Sequence, residues 1–163
     1  MELSEHSKNI KFLLISFLLT LTIGVTIGLI FVMDSTHLTP NGTIEHYNGS
    51  APNDEFDIPE HYPKPIKEML MTTHSHIISF GLIFLALCFI FSQNSIVFGS
   101  LKTFLIIEPF ISIIATFGGI WLLRFVHSNF VYLIIASGIL MYFSFYFMVF
   151  ISLVDLLKNI NEK

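Results

Sequence analysis

The sequence predicts an all-α membrane protein, a bundle of four transmembrane helices with a Pro- and Asn-rich outer loop between the first and second helices. Two observations support this fold class. The chain of 163 residues has a mean hydropathy of +0.74, with 53% hydrophobic and only 12% charged residues, which is too apolar for a water-soluble domain of this length. It also contains four long apolar runs separated by polar segments. The simplest organisation is one membrane domain, residues 1–163.

Residues 12–33 form the first predicted span. These 22 residues carry no charge, and at about 1.5 Å per residue they are long enough to cross a hydrocarbon core of about 30 Å. The other spans are predicted at 73–92, 103–123 and 130–154. The short connections between the last three spans predict antiparallel neighbours.

Residues 34–72 form a predicted outer cap. This segment contains five prolines and two Asn-Gly pairs, a composition typical of turns rather than of a long regular element. At its end, Lys64-Pro65 and the following Ile-Lys-Glu predict a helix that starts with proline in its first turn. The second transmembrane helix should therefore project about two turns above the membrane.

The distribution of positive charge predicts the orientation in the membrane. Lys and Arg residues near the ends of spans are retained on the cytoplasmic side. Five of them fall on the side that holds both termini, and three fall on the other side. The five are Lys8, Lys11, Lys102, Lys158 and Lys163, and the three are Lys64, Lys67 and Arg124. Both termini are therefore expected in the cytoplasm, with the cap outside.

Six of the seven histidines fall at or above the outer membrane surface in this topology. Neutral imidazole is the commonest side-chain metal ligand, and histidines from different helices at one depth can ligate a haem or a metal centre. The pattern indicates a b-type haem; a copper or zinc ion, or no cofactor at all, are the alternatives. The candidate ligands are His37, His46, His61, His74, His76 and His127.

The geometry of a helix limits which of these histidines can cooperate. His74 and His76 are two residues apart, so their side chains point about 200° from each other and cannot ligate the same ion. On the third span Gly118 and Gly119 lie at a similar depth and leave room for a cofactor, and Arg124 could form forked bonds to a haem propionate. The sequence thus predicts a cofactor pocket near the outer interface, bounded by His37, His74, His76, Gly118, Gly119 and Arg124.

Glu108 lies inside the third span, and Pro109 follows it. A carboxylate at such depth is costly and usually faces the bundle interior or a water-filled cavity. Proton uptake, contact with a quinone and a hydrogen bond between helices are three roles that this position allows.

Three functions remain open at this stage. The first is a membrane subunit of a respiratory or electron-transfer system that binds haem or metal through the outer histidines. The second is a non-catalytic accessory or assembly subunit whose cap docks a partner, and the third is a small proton-coupled transporter or channel that uses Glu108. No nucleophile–base arrangement or phosphate loop indicates an enzyme in its own right. The net charge of -4, without a basic cluster, excludes nucleic acid, so the expected partners are the lipid bilayer and other membrane subunits.

Four motifs resemble an uncharacterised family of small bacterial four-helix membrane proteins. They read EHY at 45–47, EMLMTTHSH at 68–76, KTFLIIEPF at 102–110 and TFGG at 116–119, and together the resemblance covers most of the chain. It implies a bacterial setting. Together with the orientation deduced from the positive charges, this predicts the bacterial cytoplasmic membrane, with the cap in the periplasm. The resemblance implies no activity.

Overall fold

Helices make up nearly all of the secondary structure in the computed structural model, which describes residues 2–50 and 61–158. The helices are α1 (Lys8–Thr36), α2 (Pro40–Asn48), α3 (Ile66–Ser92), α4 (Gly99–Phe125) and α5 (Val131–Leu157), and the described ranges contain no strand. The four long helices are each apolar enough to cross a membrane. The predicted all-α fold with four spans is confirmed, and the four predicted spans fall within these helices once the short 3-10 turn Ser128–Phe130 before α5 is included.

The outer cap differs from the expected run of turns because it contains α2. Thr39 accepts a hydrogen bond from the Gly42 amide at 3.0 Å and so caps the start of this helix, and Pro40 occupies the first turn. Gly42 packs directly against the end of α1, where an added Cβ would lie 2.2 Å from the Thr36 carbonyl oxygen. A local cap and a close contact therefore fix a short helix that composition did not reveal. The central part of the predicted cap, residues 51–60, lies outside the described residues.

The core of the bundle is formed by α3, α4 and α5. Large side chains from all three helices are fully or almost fully buried, among them Phe84, Leu105, Phe117 and Phe145. In α4, 44% of the most apolar window is buried within the protein, compared with 11% in α1. The first helix is therefore peripheral, with most of its surface left to lipid.

The peripheral helix α1 packs mainly along α5 and against α2. Leu18 and Val25 are its buried apolar contacts, and the Thr26 and Tyr146 hydroxyls form a hydrogen bond of 2.9 Å between α1 and α5. Because α1 follows α5 rather than α3, a groove stays open between α1 and α3.

Both described ends of the chain lie at one end of the bundle, here called the terminal end, and α2 lies at the opposite, cap end. At the terminal end the Leu3 amide donates to the Gln93 carbonyl at 3.1 Å. The Asp155 carboxylate accepts hydrogen bonds from the Ser95 amide and hydroxyl, each at 2.7 Å. These bonds attach the N-terminus and α5 to the connection between α3 and α4.

Candidate functional site

The six outer histidines are distributed over separate places. His37, His46 and His61 line one cavity at the cap end, called the cap cavity. His76 lines the groove between α1 and α3, called the lateral groove. His74 and His127 are exposed and line neither of these two spaces.

The pocket predicted from the sequence is therefore divided. Of its six members, His37 belongs to the cap cavity and His76 to the lateral groove. Gly119 packs against α5, where an added Cβ would lie 2.9 Å from the Ile134 side chain, whereas Gly118 is exposed. Arg124 lies at the end of α4 with its guanidinium carbon 5.5 Å from the Phe125 ring. These six residues lie at a similar depth, but the rotation of their helices and the packing of α4 on α5 direct them to different places.

The cap cavity has a volume of about 420 Å³. Besides its three histidines it is lined by Glu45, Glu68 and Lys64, so both signs of charge face it. His37, the residue directly after the last residue of α1, has a left-handed backbone conformation (φ 49°) that brings its side chain to this cavity. His61 is held from the other side, since its amide donates to the Ser50 hydroxyl at 2.9 Å and its carbonyl accepts from the Ser50 amide at 3.0 Å.

The environment of the cap cavity disfavours a positive charge on His46. Partial burial, followed by the nearby charges of Lys64 and His61, lowers the pKa of His46 below its ordinary value of 6.5. Burial also raises the pKa of the neighbouring Tyr47 to about 12. The Lys64 ammonium lies 5.8 Å from the centre of the Tyr47 ring, within the range of a cation–π contact. His46 is thus held neutral at physiological pH, the form that can ligate a metal.

The number of ligands limits the metals that the cap cavity could hold. In residues 2–50 and 61–158, no three or more His, Cys, Asp or Glu side chains are close enough together to hold one ion. A structural or catalytic zinc site has three or four protein ligands, and the described residues alone bring fewer than three together. An ion or haem iron bound by two imidazoles would need fewer protein ligands.

The lateral groove has a volume of about 380 Å³, and its described lining residues all belong to α1 and α3. His76 is the one ionisable side chain among its described lining residues. The Nδ1 atom of this histidine lies 2.9 Å from the Thr72 carbonyl oxygen, and because a carbonyl can only accept, Nδ1 carries the hydrogen. In the neutral ring, Nε2 is then left as an acceptor or a metal ligand. The ring is supported by Phe117 and Phe80, at centroid distances of 5.5 and 6.0 Å.

Glu108 lies in the interior of the bundle, as the cost of a lipid-exposed carboxylate predicted. Only 4% of its surface is exposed. Its two carboxyl oxygens are hydrogen-bonded to different hydroxyls, that of Ser112 one turn along α4 and that of Ser144 on α5. The helix-to-helix hydrogen bond anticipated from the sequence is therefore present. In the part of the chain that the structure describes, the one ion pair joins Lys158 and Asp155 at 3.3 Å, so no cationic side chain there neutralises Glu108.

Polar and sulfur groups continue along the face of α5 that carries Ser144. Met148 is one turn further, and its sulfur lies 4.0 Å from the thiol of Cys88 on α3. Ser152 follows, fully buried and with no hydrogen-bond partner for its hydroxyl among residues 2–50 and 61–158, and then Asp155. Sequence reasoning missed Ser112 and Ser152. The spacing of Ser144, Ser152 and Asp155 places all three on one side of a helix and could have indicated Ser152.

Comparison with known proteins identifies the family of this chain. A family model, Aq_1264_TM, described as a transmembrane helical domain, matches residues 37–163. The chain belongs to this family. The match confirms the resemblance noted from the motifs, and it includes α2 to α5 while leaving α1 outside. Neither the curated proteins nor the solved structures include a match to the chain.

Proposed function

We propose that this protein is a proton-handling membrane protein, in which Glu108 binds and releases a proton inside the bundle, either as a small proton-coupled transporter or as a subunit of a larger complex. The observation that carries the proposal is the burial of this carboxyl group among α3, α4 and α5 without a cationic partner in the described residues. Ionisable groups at such positions in membrane proteins mark ion pathways and proton relays.

The surroundings of Glu108 suit a group that changes its protonation state. A buried ionised carboxylate without a cation is costly in a membrane, whereas the protonated form is neutral. The Ser112 and Ser144 hydroxyls can donate to the ionised form, and one of them can instead accept a hydrogen bond from the protonated form by rotating. Both states are thus hydrogen-bonded without any movement of the helices.

Infrared difference spectroscopy on the protein in liposomes tests this proposal. The expected result is a carbonyl stretching band of a protonated carboxyl group that shifts in D₂O and disappears as the buffer is made alkaline. The band should be absent from Glu108→Gln and present in the control Glu68→Gln, which removes an exposed carboxyl group at the cap end. A band that neither exchanges with D₂O nor responds to pH would show a purely structural carboxyl group and refute the proposal.

A second candidate is the electron-transfer role, a respiratory membrane subunit that binds a b-type haem or a metal ion through histidines near the outer face. The convergence of His37, His46 and His61 on the cap cavity favours it. These residues would supply the axial or ion ligands, and the bound iron or copper would supply one-electron chemistry.

Absorption spectra of the purified protein, oxidised and reduced, together with metal analysis, test the second candidate. A cytochrome gives a reduced α-band with about one iron per chain, and the band should be lost in His46→Ala but retained in His127→Ala, whose side chain is exposed and outside the cap cavity. A colourless, metal-free protein from cells supplied with haem and copper would refute it.

We further propose that the protein lies in a bacterial cytoplasmic membrane, with the terminal end in the cytoplasm and the cap in the periplasm. The support is the excess of lysines near the terminal end. Alkaline phosphatase fused after the C-terminus should be inactive, and the same enzyme inserted in the cap should be active. The opposite pattern would reverse the orientation.

A further inference from the structure

We propose that the lateral groove between α1 and α3 is a binding site for the ring of a membrane quinol, with His76 as the acceptor of a quinol hydroxyl. This site is independent of Glu108 and of the cap cavity. Its volume of about 380 Å³ lies in the range of about 300–1,000 Å³ that is usual for small-molecule sites.

The position of the groove restricts its ligand to molecules dissolved in the bilayer. Both of its walls are transmembrane helices, and α1 is the helix with the least burial inside the protein. His76 lies ten residues after the start of α3, about 15 Å along a helix that is itself about 40 Å long. The groove is thus open to lipid in the half of the membrane nearer the cap, and a ligand enters it sideways.

Most of the hydrogen-bonding groups of the groove are acceptors, which favours a ligand that donates. His76 uses Nδ1–H on the Thr72 carbonyl, which leaves Nε2 as an acceptor. Thr20 and Ser75 also line the groove, and their hydroxyls donate to the carbonyls of Ser16 and Met71, at 2.9 and 2.7 Å, so towards a ligand these oxygens can only accept. An acyl chain offers no donor to these atoms, and an oxidised quinone offers only acceptors. A quinol carries two O–H donors.

The apolar walls of the groove favour a flat ring. Phe17 from α1 and Phe80 from α3 line it, and aromatic pairs stack in offset or edge-to-face arrangements that stabilise a bound ring. Ser79 is the one lining hydroxyl for which the structure gives no intramolecular hydrogen bond in the described chain, so it can donate to the quinol oxygen while that oxygen's hydrogen is donated to His76. A non-aromatic alcohol such as a sterol could form the hydrogen bond but has no aromatic ring to stack on Phe17 and Phe80.

The single tryptophan is a built-in reporter for this site. Trp121 donates a hydrogen bond to the Thr73 hydroxyl at 2.9 Å, and Thr73 precedes His76 by less than one turn of α3. Binding can therefore be followed by quenching of tryptophan fluorescence in nanodiscs titrated with a short-chain quinol, kept reduced. The oxidised quinone is titrated in the same way, and a sterol is added as a competitor of the bound quinol, which together give the specificity.

Saturable quenching by the quinol is expected in the natural protein. Binding should be about tenfold weaker for the oxidised quinone and for His76→Ala, because each loses the hydrogen bond from the quinol hydroxyl to Nε2 of His76. His74→Ala is the matched control, since His74 is also exposed on α3 but does not line the groove, and it should bind like the natural protein. Gly24→Leu should abolish binding by filling the groove, where an added Cβ meets no described atom within 4 Å outside the local backbone of α1. Equal binding of quinol and oxidised quinone, unchanged binding in His76→Ala, equal competition by the sterol, or quenching that never saturates would each overturn the proposal.

Discussion

Two serines on one face of α5 should respond oppositely to the same substitution. Ser144 and Ser152 are both fully buried. The Ser144 hydroxyl is hydrogen-bonded to Glu108, whereas the Ser152 hydroxyl has no partner in the part of the chain that the structure describes. Ser144→Ala leaves one carboxyl oxygen of Glu108 without its hydrogen bond. Ser152→Ala removes a hydroxyl that is buried without compensation. The pair compares a satisfied and an unsatisfied polar group at equal burial, in the same helix and with the same change of volume.

The expected magnitudes follow from the cost of each hydrogen bond. Hydrogen bonds between transmembrane helices contribute about 0.6 kcal/mol on average and up to about 1.7 kcal/mol, and this one involves a carboxyl group, so Ser144→Ala should lower the free energy of unfolding by about 1 kcal/mol. Ser152→Ala should raise it by about 1 kcal/mol, because an unsatisfied buried polar group costs about 1–3 kcal/mol and alanine is the better helix former.

Unfolding in mixed micelles of a mild detergent and sodium dodecyl sulfate, followed by circular dichroism, measures both free energies. Ser16→Ala, on the exposed surface of α1, serves as the control for the substitution itself. If both buried variants lose stability by the same amount, then Ser152 has a partner in the folded protein and the distinction between the two hydroxyls is wrong. If neither changes, the Ser144 bond to Glu108 contributes nothing to folding.

Three further predictions concern the two ends of the bundle. Gly42→Ala should loosen the cap by about 1–3 kcal/mol, because its Cβ would meet the Thr36 carbonyl oxygen at 2.2 Å. Gly28→Ala should be neutral, because outside the local backbone of α1 its Cβ meets no described atom within 4 Å. Hydrogen exchange of the α2 amides measures both, and equal exchange in the two variants would contradict the contact. Because the pKa of His46 is lowered in the folded protein, the unfolded cap binds more protons, so protection of α2 should decrease as the pH falls through about 6.5 and should not do so in His46→Gln. Asp155→Asn should accelerate hydrogen exchange of the Ser95 amide, which donates to this carboxylate at 2.7 Å. The substitution removes a charge-assisted hydrogen bond of about 1.5–3 kcal/mol. Unchanged exchange would mean that other contacts hold the connection between α3 and α4.

Much of the architecture was predictable because membrane insertion depends on local properties of the sequence. The length and hydropathy of residues 12–33, 73–92, 103–123 and 130–154 place four helices, since each span must satisfy its own backbone hydrogen bonds in lipid. The burial of Glu108 was predictable for a similar reason, because the cost of a carboxylate in hydrocarbon does not depend on which helices are its neighbours. The helix α2 was missed, since its cap at Thr39 is a signal only two residues long within a segment rich in turn formers.

The sequence by itself determined the class of the protein, the number of its spans and the interior position of Glu108. The tertiary structure decided which side chains meet. It placed Ser144 of α5 on Glu108, brought His37, His46 and His61 to one cavity, and directed His76 into the groove beside α1. The physical reason is that hydropathy indicates only how deep in the membrane a residue lies. The rotation and packing of the helices determine whether two residues at the same depth face one another.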